Sequence, residues 1–92
     1  MPNPIKIELQ DVIDISKVEG LMESFKSSAD NSSHIELDAG QVKRIDTAGL
    51  QLLYSFQHTL NQQQGHVEIV NASQAFKECA RLVGFDNILV FH

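Results

Sequence analysis

Residues 44–53 read Arg-Ile-Asp-Thr-Ala-Gly-Leu-Gln-Leu-Leu, and they join a short apolar segment to a strongly apolar helical pattern. Asp46 or Thr47 can cap a helix here, because a short side-chain oxygen accepts hydrogen bonds from the unpaired N–H groups of a first helical turn. Beyond the cap, apolar side chains recur on one helical stripe, formed by Leu50, Leu53, Tyr54 and Leu60 and widened by Leu52 and Phe56. The stretch therefore predicts a tight turn followed by a largely buried helix.

Upstream of this stretch, the pattern predicts two strands separated by a helix. Apolar residues alternate with polar ones over residues 5–9 and again over residues 35–37, which is the period of a half-buried strand. Between them, Ser16 and Glu19 have the spacing of a capping box, and Ser16 is the predicted N-cap. The helix that follows has one apolar side, formed by Val18, Leu21, Met22 and Phe25. Residues 27–33 are polar and predict a loop.

Downstream, the sequence predicts a third strand and a third helix. Gly65 is expected to end the preceding helix in a left-handed conformation, and residues 67–70 are typical of a strand. The next helix is expected to end at Gly84 and to turn inward Ala75, Phe76, Cys79, Ala80 and Val83. The closing segment Ile88–Phe91 fits either an edge strand or an apolar tail folded onto the last helix, and periodicity does not choose between them.

The repeated order of strand and helix indicates a layered α/β domain, since strands linked through helices usually lie parallel or in a mixed sheet. A length of 92 residues with 42% hydrophobic content suits one compact core, so residues 1–92 are predicted to form a single domain.

Charge and hydropathy exclude several classes of partner. The chain carries 7 basic and 12 acidic residues, and only Lys43 and Arg44 form even a pair of cations, so nucleic acid is not an expected partner. No apolar run approaches the ~18–20 residues that span a bilayer, and the first residues do not resemble a signal peptide. With one cysteine, Cys79, these features predict a soluble cytoplasmic protein without direct membrane insertion.

The usual sequence patterns of catalysis are missing. The five glycines are isolated from one another, so no phosphate-binding loop is expected, and no serine lies in the Gly-x-Ser-x-Gly context of an exposed nucleophile. The four histidines are far apart in the sequence and Cys79 has no ligand close to it in the chain. We therefore expect no catalytic residue, no metal site and no cofactor.

Residues 45–53 (Ile-Asp-Thr-Ala-Gly-Leu-Gln-Leu-Leu) resemble the signature of STAS domains, the family of bacterial anti-sigma factor antagonists. The resemblance extends to residues 9–21, a strand-to-helix connection, and to residues 67–84, a last strand and its helix. It thus covers most of the chain from Ile5 onward. It implies a mixed β-sheet flanked by helices and a non-enzymatic regulatory role.

The resemblance also implies that the domain docks a protein partner, such as an anti-sigma factor or a histidine-kinase-like ATPase, through Asp46, Thr47, Ala48, Gly49 and Leu50. In the family, a partner kinase phosphorylates a serine in this turn, and the phosphate abolishes docking. The matching position here is Ala48, which has no hydroxyl. The neighbouring Thr47 is the alternative phospho-acceptor, and helix capping is its competing role.

Other functions remain open at this stage. The Asp-Thr-small-Gly-Leu pattern is also similar to the STAS subunit of the Mla phospholipid transporter, in which the matching threonine lies at the contact with the ABC ATPase subunit, and to chemotaxis-associated STAS proteins. A sensor that binds a nucleotide or another small molecule at the helix start after Thr47 is a further alternative. A homodimer formed through Ile88–Phe91 is the last.

Overall fold

Three parallel strands form the main sheet. The computed structural model describes residues 4–29 and 34–91, apart from the side chains of residues 28 and 29. Strands β1 (Ile5–Glu8), β3 (His34–Asp38) and β5 (His66–Val70) lie in the order β1-β3-β5. The register pairs Ile5 with Ile35 and His34 with His66. Buried side chains recur at every second residue along β3 and at the start of β5, as the alternation predicts.

A second, shorter ladder continues from the first. Strands β2 (Val12–Ile13) and β4 (Arg44–Ile45) are also parallel, and Ile13 pairs with Ile45. All ladders between the named strands of the described residues are therefore parallel. Because parallel strands point the same way, the segments that follow β2 and β4 emerge at the same end of the ladder.

Three helices connect and cover these strands: α1 (Val18–Ala29), α2 (Thr47–Gln62) and α3 (Gln74–Leu82). The rings of Phe25 in α1 and Phe56 in α2 stack with centroids 4.5 Å apart, and α2 also packs against β5. The predicted α/β class is confirmed. The most deeply buried large side chains come from strands, helices and the segments between them: Leu9, Ile13, Phe25, Ile35, Leu37, Val42, Leu50, Leu53, Val67, Ile69 and Phe76.

The predicted N-cap of the first helix is wrong. The chain first forms a 3-10 turn over Ile15–Lys17, and Asp14 caps it by accepting a hydrogen bond from the Ser16 N–H at 3.0 Å. The Ser16 hydroxyl donates to the same carboxylate, and Ser16 lies inside the 3-10 turn, two residues before α1 begins at Val18. The helix also extends to Ala29, three residues into the predicted loop, and residues 30–33 of that loop lie outside the described residues.

The left-handed residue after α2 is Gln64 (φ +63°), not Gly65. Gly65 instead donates its N–H to the Leu60 carbonyl at 2.8 Å, which closes the helix end one residue beyond the left-handed position. After α3 the expectation holds, because Gly84 takes φ +79° and Phe85 donates to the Ala80 carbonyl. Val83, predicted to face inward, is exposed, and so are Met22 and Tyr54 on the predicted apolar sides of α1 and α2.

The closing segment combines the two alternatives left open by its sequence, since it pairs with β5 and the Phe91 ring packs edge to face on Phe76 of α3. Ile69 of β5 donates its N–H to the Val90 carbonyl at 2.7 Å, and Phe91 forms a single parallel bridge with Ile69. The buried Gln57 of α2 holds the same segment, since its amide donates to the Ile88 carbonyl and accepts from the Val90 N–H, both at 2.8 Å. No helix within residues 4–29 and 34–91 is long and apolar enough to cross a membrane.

Candidate docking site at the start of the second helix

Asp46 fixes the turn between β4 and α2. Its side chain accepts a hydrogen bond from the Gly49 N–H at 2.9 Å, and its carbonyl accepts the first helical bond from Leu50 at 3.0 Å. Its own N–H donates to the Ile13 carbonyl at 3.1 Å, which ties the turn to β2. Of the two capping residues that the sequence allowed, Asp46 is the cap.

Gly49 lets the helix lie directly on the short ladder. A Cβ at this position would stand 2.8 Å from Cγ1 of Ile45 and 2.9 Å from Cγ2 of Ile13, both too close for carbon atoms. Any larger residue must therefore displace the two isoleucines or lift the start of α2. The glycine is needed for this close approach rather than for a left-handed backbone.

The five predicted site residues differ in solvent exposure. Asp46 and Thr47 are exposed and Ala48 is partly exposed, whereas Gly49 and Leu50 are buried. Because Asp46 supplies the cap, the Thr47 hydroxyl is not used by the helix, and its side chain forms no hydrogen bond with the described part of the chain. We use the name docking turn for residues 46–48.

A second segment ends at the same place. Asp14 follows Ile13 as Asp46 follows Ile45, and the paired strands bring the two aspartates to the same end of the β2–β4 ladder. Next to Asp14, the Ile15 side chain is 76% exposed, although isoleucine is among the residues most often buried. Ile15 was not among the residues predicted for the site. The available signal was the Asp14-x-Ser16 pattern, in which an aspartate bonds its own backbone two residues on.

The charge of Asp14 is favoured in the folded chain. Hydrogen bonds from the hydroxyl and the N–H of Ser16, with the nearby cations Lys17 and Arg44, lower the pKa of this carboxyl from its ordinary value, while partial burial opposes the shift. The surface at this end of the ladder therefore combines an ionised carboxylate, an apolar side chain and the Thr47 hydroxyl.

Other polar groups of the chain lie elsewhere. An open groove of about 580 Å³ runs along α3, where Lys77, Arg81, Asp86 and Phe91 contribute to its lining, and no residue of the docking turn reaches it. Cys79 packs against the core, as its apolar neighbours predict, and His58 stacks on Tyr54. His92 lies outside the described residues.

Two histidines that are far apart in the sequence are close in space. His34 and His66 face each other across β3 and β5, with ring centroids 5.2 Å apart. Both contact Glu68, since His34 Nε2 lies 3.5 Å from one carboxylate oxygen and His66 Nε2 lies 3.2 Å from the other. Spacing along the chain could not reveal this cluster, because it depends on which strands pair and in what register.

Comparison with known proteins points to one family. The family described as "Mlab, STAS domain" matches residues 1–90. No curated protein matches the chain. Among solved structures, the unphosphorylated form of the anti-sigma factor antagonist SpoIIAA is 16% identical with a TM-score of 0.75, over 100% of this chain and 84% of that one.

The Thermotoga maritima protein TM1081, a candidate anti-sigma factor antagonist, has the same fold. Its crystal structure is 15% identical with a TM-score of 0.78, over 98% of this chain and 83% of that one. Its NMR structure is also 15% identical, with a TM-score of 0.79 over 95% and 71% of the two chains. The predicted STAS-like arrangement of a sheet flanked by helices is confirmed, and the chain belongs to the STAS domain family.

Proposed function

We propose that the protein is a non-enzymatic regulatory domain that docks a partner protein through the docking turn, with Ile15 as an apolar neighbour. The observation that carries this proposal is that the Thr47 side chain is exposed and its hydroxyl is not used by the helix. Thr47 lies at the first position of α2, and the helix does not need the hydroxyl because Asp46 is the cap. A hydroxyl held on a rigid helix, with no partner in the described part of the chain, is suited to an intermolecular hydrogen bond.

The supporting residues favour recognition by contact. Gly49 and Leu50 anchor the turn in the core, so Thr47 is presented with little conformational freedom to lose on binding. Ile15 adds apolar surface that a partner can remove from water.

Covalent regulation is the second part of the proposal. Ala48 cannot accept a phosphate, so Thr47 is the hydroxyl of the docking turn that a kinase could modify. The unpaired N–H groups of the first helical turn would favour a phosphate there, whereas the adjacent Asp46 carboxylate would repel it. We therefore propose contact as the primary mechanism and phosphorylation of Thr47 as a means of abolishing it.

Two kinds of partner are consistent with this surface. The likeness to SpoIIAA supports an anti-sigma factor or a histidine-kinase-like ATPase. The match to the family described as "Mlab, STAS domain", together with Ala48 in place of a phosphorylated serine, supports the ATPase subunit of an Mla-type ABC transporter. Either partner implies a cytoplasmic location.

Binding measurements with both kinds of partner test the proposal. Anti-sigma factor kinases and ABC transporter ATPase subunits from the same genome are titrated with the wild type, Thr47→Ala and Thr47→Glu. Thr59→Ala is the matched control, since Thr59 is an exposed threonine further along the same helix. One partner is expected to bind the wild type and Thr59→Ala with equal affinity. It is expected to bind both Thr47 variants at least about 10-fold more weakly, which corresponds to a loss of about 1.4 kcal/mol of binding free energy.

Equal affinity of wild type and Thr47→Glu for the partner would contradict docking through this turn. Incubation of the wild type with the same partner and ATP, followed by mass spectrometry, separates the two mechanisms. Phosphate on Thr47 supports a covalent switch, and binding without phosphate supports contact alone.

A further inference from the structure

A metal-binding site can be built from the cluster of His34, His66 and Glu68, on a different part of the molecule from the docking turn. The three side chains lie on one face of the main sheet, because His34 pairs with His66 in register and Glu68 is two residues further along β5. They lie at the amino-terminal ends of β3 and β5, whereas the docking turn follows the carboxyl end of β4. We propose that these residues bind a divalent transition-metal ion, with Zn²⁺ as the best fit.

The distances fit tetrahedral coordination. The potential ligand atoms all lie within 4.8 Å of one another, and the two imidazole–carboxylate separations are 3.5 and 3.2 Å. Two ligands of a tetrahedral zinc ion, each about 2.0–2.1 Å from the metal, are about 3.3–3.4 Å apart. Small side-chain rotations would therefore bring the nitrogen and oxygen atoms around one ion.

The chemistry of the cluster selects a borderline metal. Two imidazoles and one carboxylate are a ligand set that zinc uses in proteins, with the fourth position left to water. Imidazole nitrogen also suits copper and nickel, whereas magnesium and calcium prefer sites made wholly of oxygen. Zinc is the most consistent with tetrahedral spacing.

The surroundings favour a cation that arrives from solvent. The side chains of His34 and His66 are 42% and 49% exposed, so the cluster is open to solvent at the edges of both rings, although the Nε2 atom of His34 is itself buried. Glu68 is only 14% exposed and is held in the sheet. Glu36 pairs with Glu68 in register and adds a second carboxylate to the same face. Lys6, which pairs with Glu36 from β1, is engaged 3.5 Å from a different carboxylate, that of Asp38.

A bound ion would link β3 to β5 at their first residues. Each strand supplies at least one ligand, so separating the strands would break coordination. Because the ligands converge only in the folded sheet, metal binding is expected to raise the melting temperature.

Isothermal titration of ZnCl₂ into untagged, chelator-treated protein tests the site. The wild type is expected to bind one Zn²⁺ per chain, and His34→Ala, His66→Ala and Glu68→Gln are expected to bind at least about 10-fold more weakly, a loss that even outer-shell changes can cause. His58→Ala is the matched control and is expected to bind like the wild type, because His58 lies on α2 beside Tyr54.

Two further measurements distinguish loss of metal binding from failure of a variant to fold. Circular dichroism without metal checks each variant, and Glu68→Gln keeps the size of the side chain. Zn²⁺ is expected to raise the melting temperature of the wild type and of His58→Ala, but not of Glu68→Gln. The proposal would be overturned if the wild type showed no saturable Zn²⁺ binding. It would also be overturned if Glu68→Gln and His66→Ala bound Zn²⁺ with the affinity of the wild type. The cluster would then be an ordinary group of histidine–glutamate contacts.

Discussion

An aspartate opens the segment that leads into α2 and the segment that leads into α1, with different results. Each aspartate follows one strand of the β2–β4 ladder. The Asp46 carboxylate accepts the Gly49 N–H, three residues on, at 2.9 Å, whereas the Asp14 carboxylate accepts the Ser16 N–H, two residues on, at 3.0 Å. After Asp46 an α-helix begins at once. After Asp14 the chain forms a 3-10 turn, and α1 begins only at Val18.

The third residue after each aspartate also differs. That residue is Gly49 at the start of α2 and Lys17 at the start of α1. Gly49 allows the first turn of α2 to rest on Ile13 and Ile45, a position that no residue with a Cβ could occupy without displacement. The capping aspartate therefore determines where a helix can begin, and the absence of a side chain determines how closely it approaches the strands.

Filling the space at Gly49 is expected to have the largest effect. Gly49→Ala places a methyl group against Ile13 and Ile45 and should lower the free energy of unfolding by about 1–3 kcal/mol, as overpacking does. Gly20→Ala is the matched control. Gly20 lies within α1, and a Cβ at this position would meet no atom within 4 Å, so alanine should stabilise the protein by up to about 1 kcal/mol.

Urea unfolding of the two glycine variants measures both effects. Opposite signs would confirm that the two glycines have different roles. A Gly49→Ala protein as stable as the wild type would show that α2 can move away from the ladder without cost.

Removal of each capping carboxylate is expected to lower the free energy of unfolding by a different amount. Asp46→Ala should cost about 1 kcal/mol of unfolding free energy, because it leaves the Gly49 N–H without its partner. Asp14→Ala should cost less, since it caps only a three-residue turn on the surface. Thermal or urea unfolding gives both values, and a larger loss for Asp14→Ala would reverse this ranking.

The residues that follow the two aspartates are expected to act together in docking. Ile15→Ser should weaken partner binding by about 1 kcal/mol, roughly fivefold, with little change in stability, because the side chain is 76% exposed in the free domain. Leu82→Ser, at the end of α3 with 80% exposure, is the control and should bind normally. Equal losses for both variants in a calorimetric titration would indicate a non-specific apolar effect.

The smallest expected effect is the contribution of the Asp14 carboxyl to the pH dependence of stability. The folded-state pKa of Asp14 is lowered, chiefly by the Ser16 hydroxyl, so its contribution to stability is complete above the unfolded value of about 3.9 and is lost as the pH falls through the folded value. Unfolding free energies measured from pH 6 downward should therefore fall less steeply for Asp14→Asn than for the wild type.

A residual acid dependence should remain in Asp14→Asn. Asp38 also has a lowered pKa, chiefly because its carboxylate accepts the Gly40 N–H, and this interaction is unchanged by the substitution. Identical slopes for the wild type and Asp14→Asn would contradict the proposed role of the Asp14 carboxylate.

Local patterns of the sequence predict most of the fold and the position of the turn before α2. Alternation identifies β1, β3 and β5, and helical spacing identifies the apolar side of α2, because burial of one face leaves a periodic trace. The cap at Asp14 and the left-handed Gln64 were missed, since Ser16 has the capping-box spacing with Glu19 and glycine has the stronger preference for a left-handed backbone.

Local patterns could not predict features that depend on the pairing of distant strands. The exposure of Ile15 beside the docking turn follows from the alignment of Ile13 with Ile45. The meeting of His34 with His66 follows from the register of β3 and β5, which joins residues that are 32 positions apart. Neither register is encoded in the spacing of residues along a single segment.

Mapping of backbone amides in the complex identifies the surface of the domain that the partner covers. Amide hydrogen exchange and chemical-shift changes are recorded for the domain alone and bound to its ATPase or anti-sigma factor partner. Binding is expected to protect residues 46–50 and 14–17 and to leave the first residues of β3 and β5 unchanged. Protection confined to the groove along α3 or to residues 88–91, with the docking turn unaffected, would contradict docking at this site.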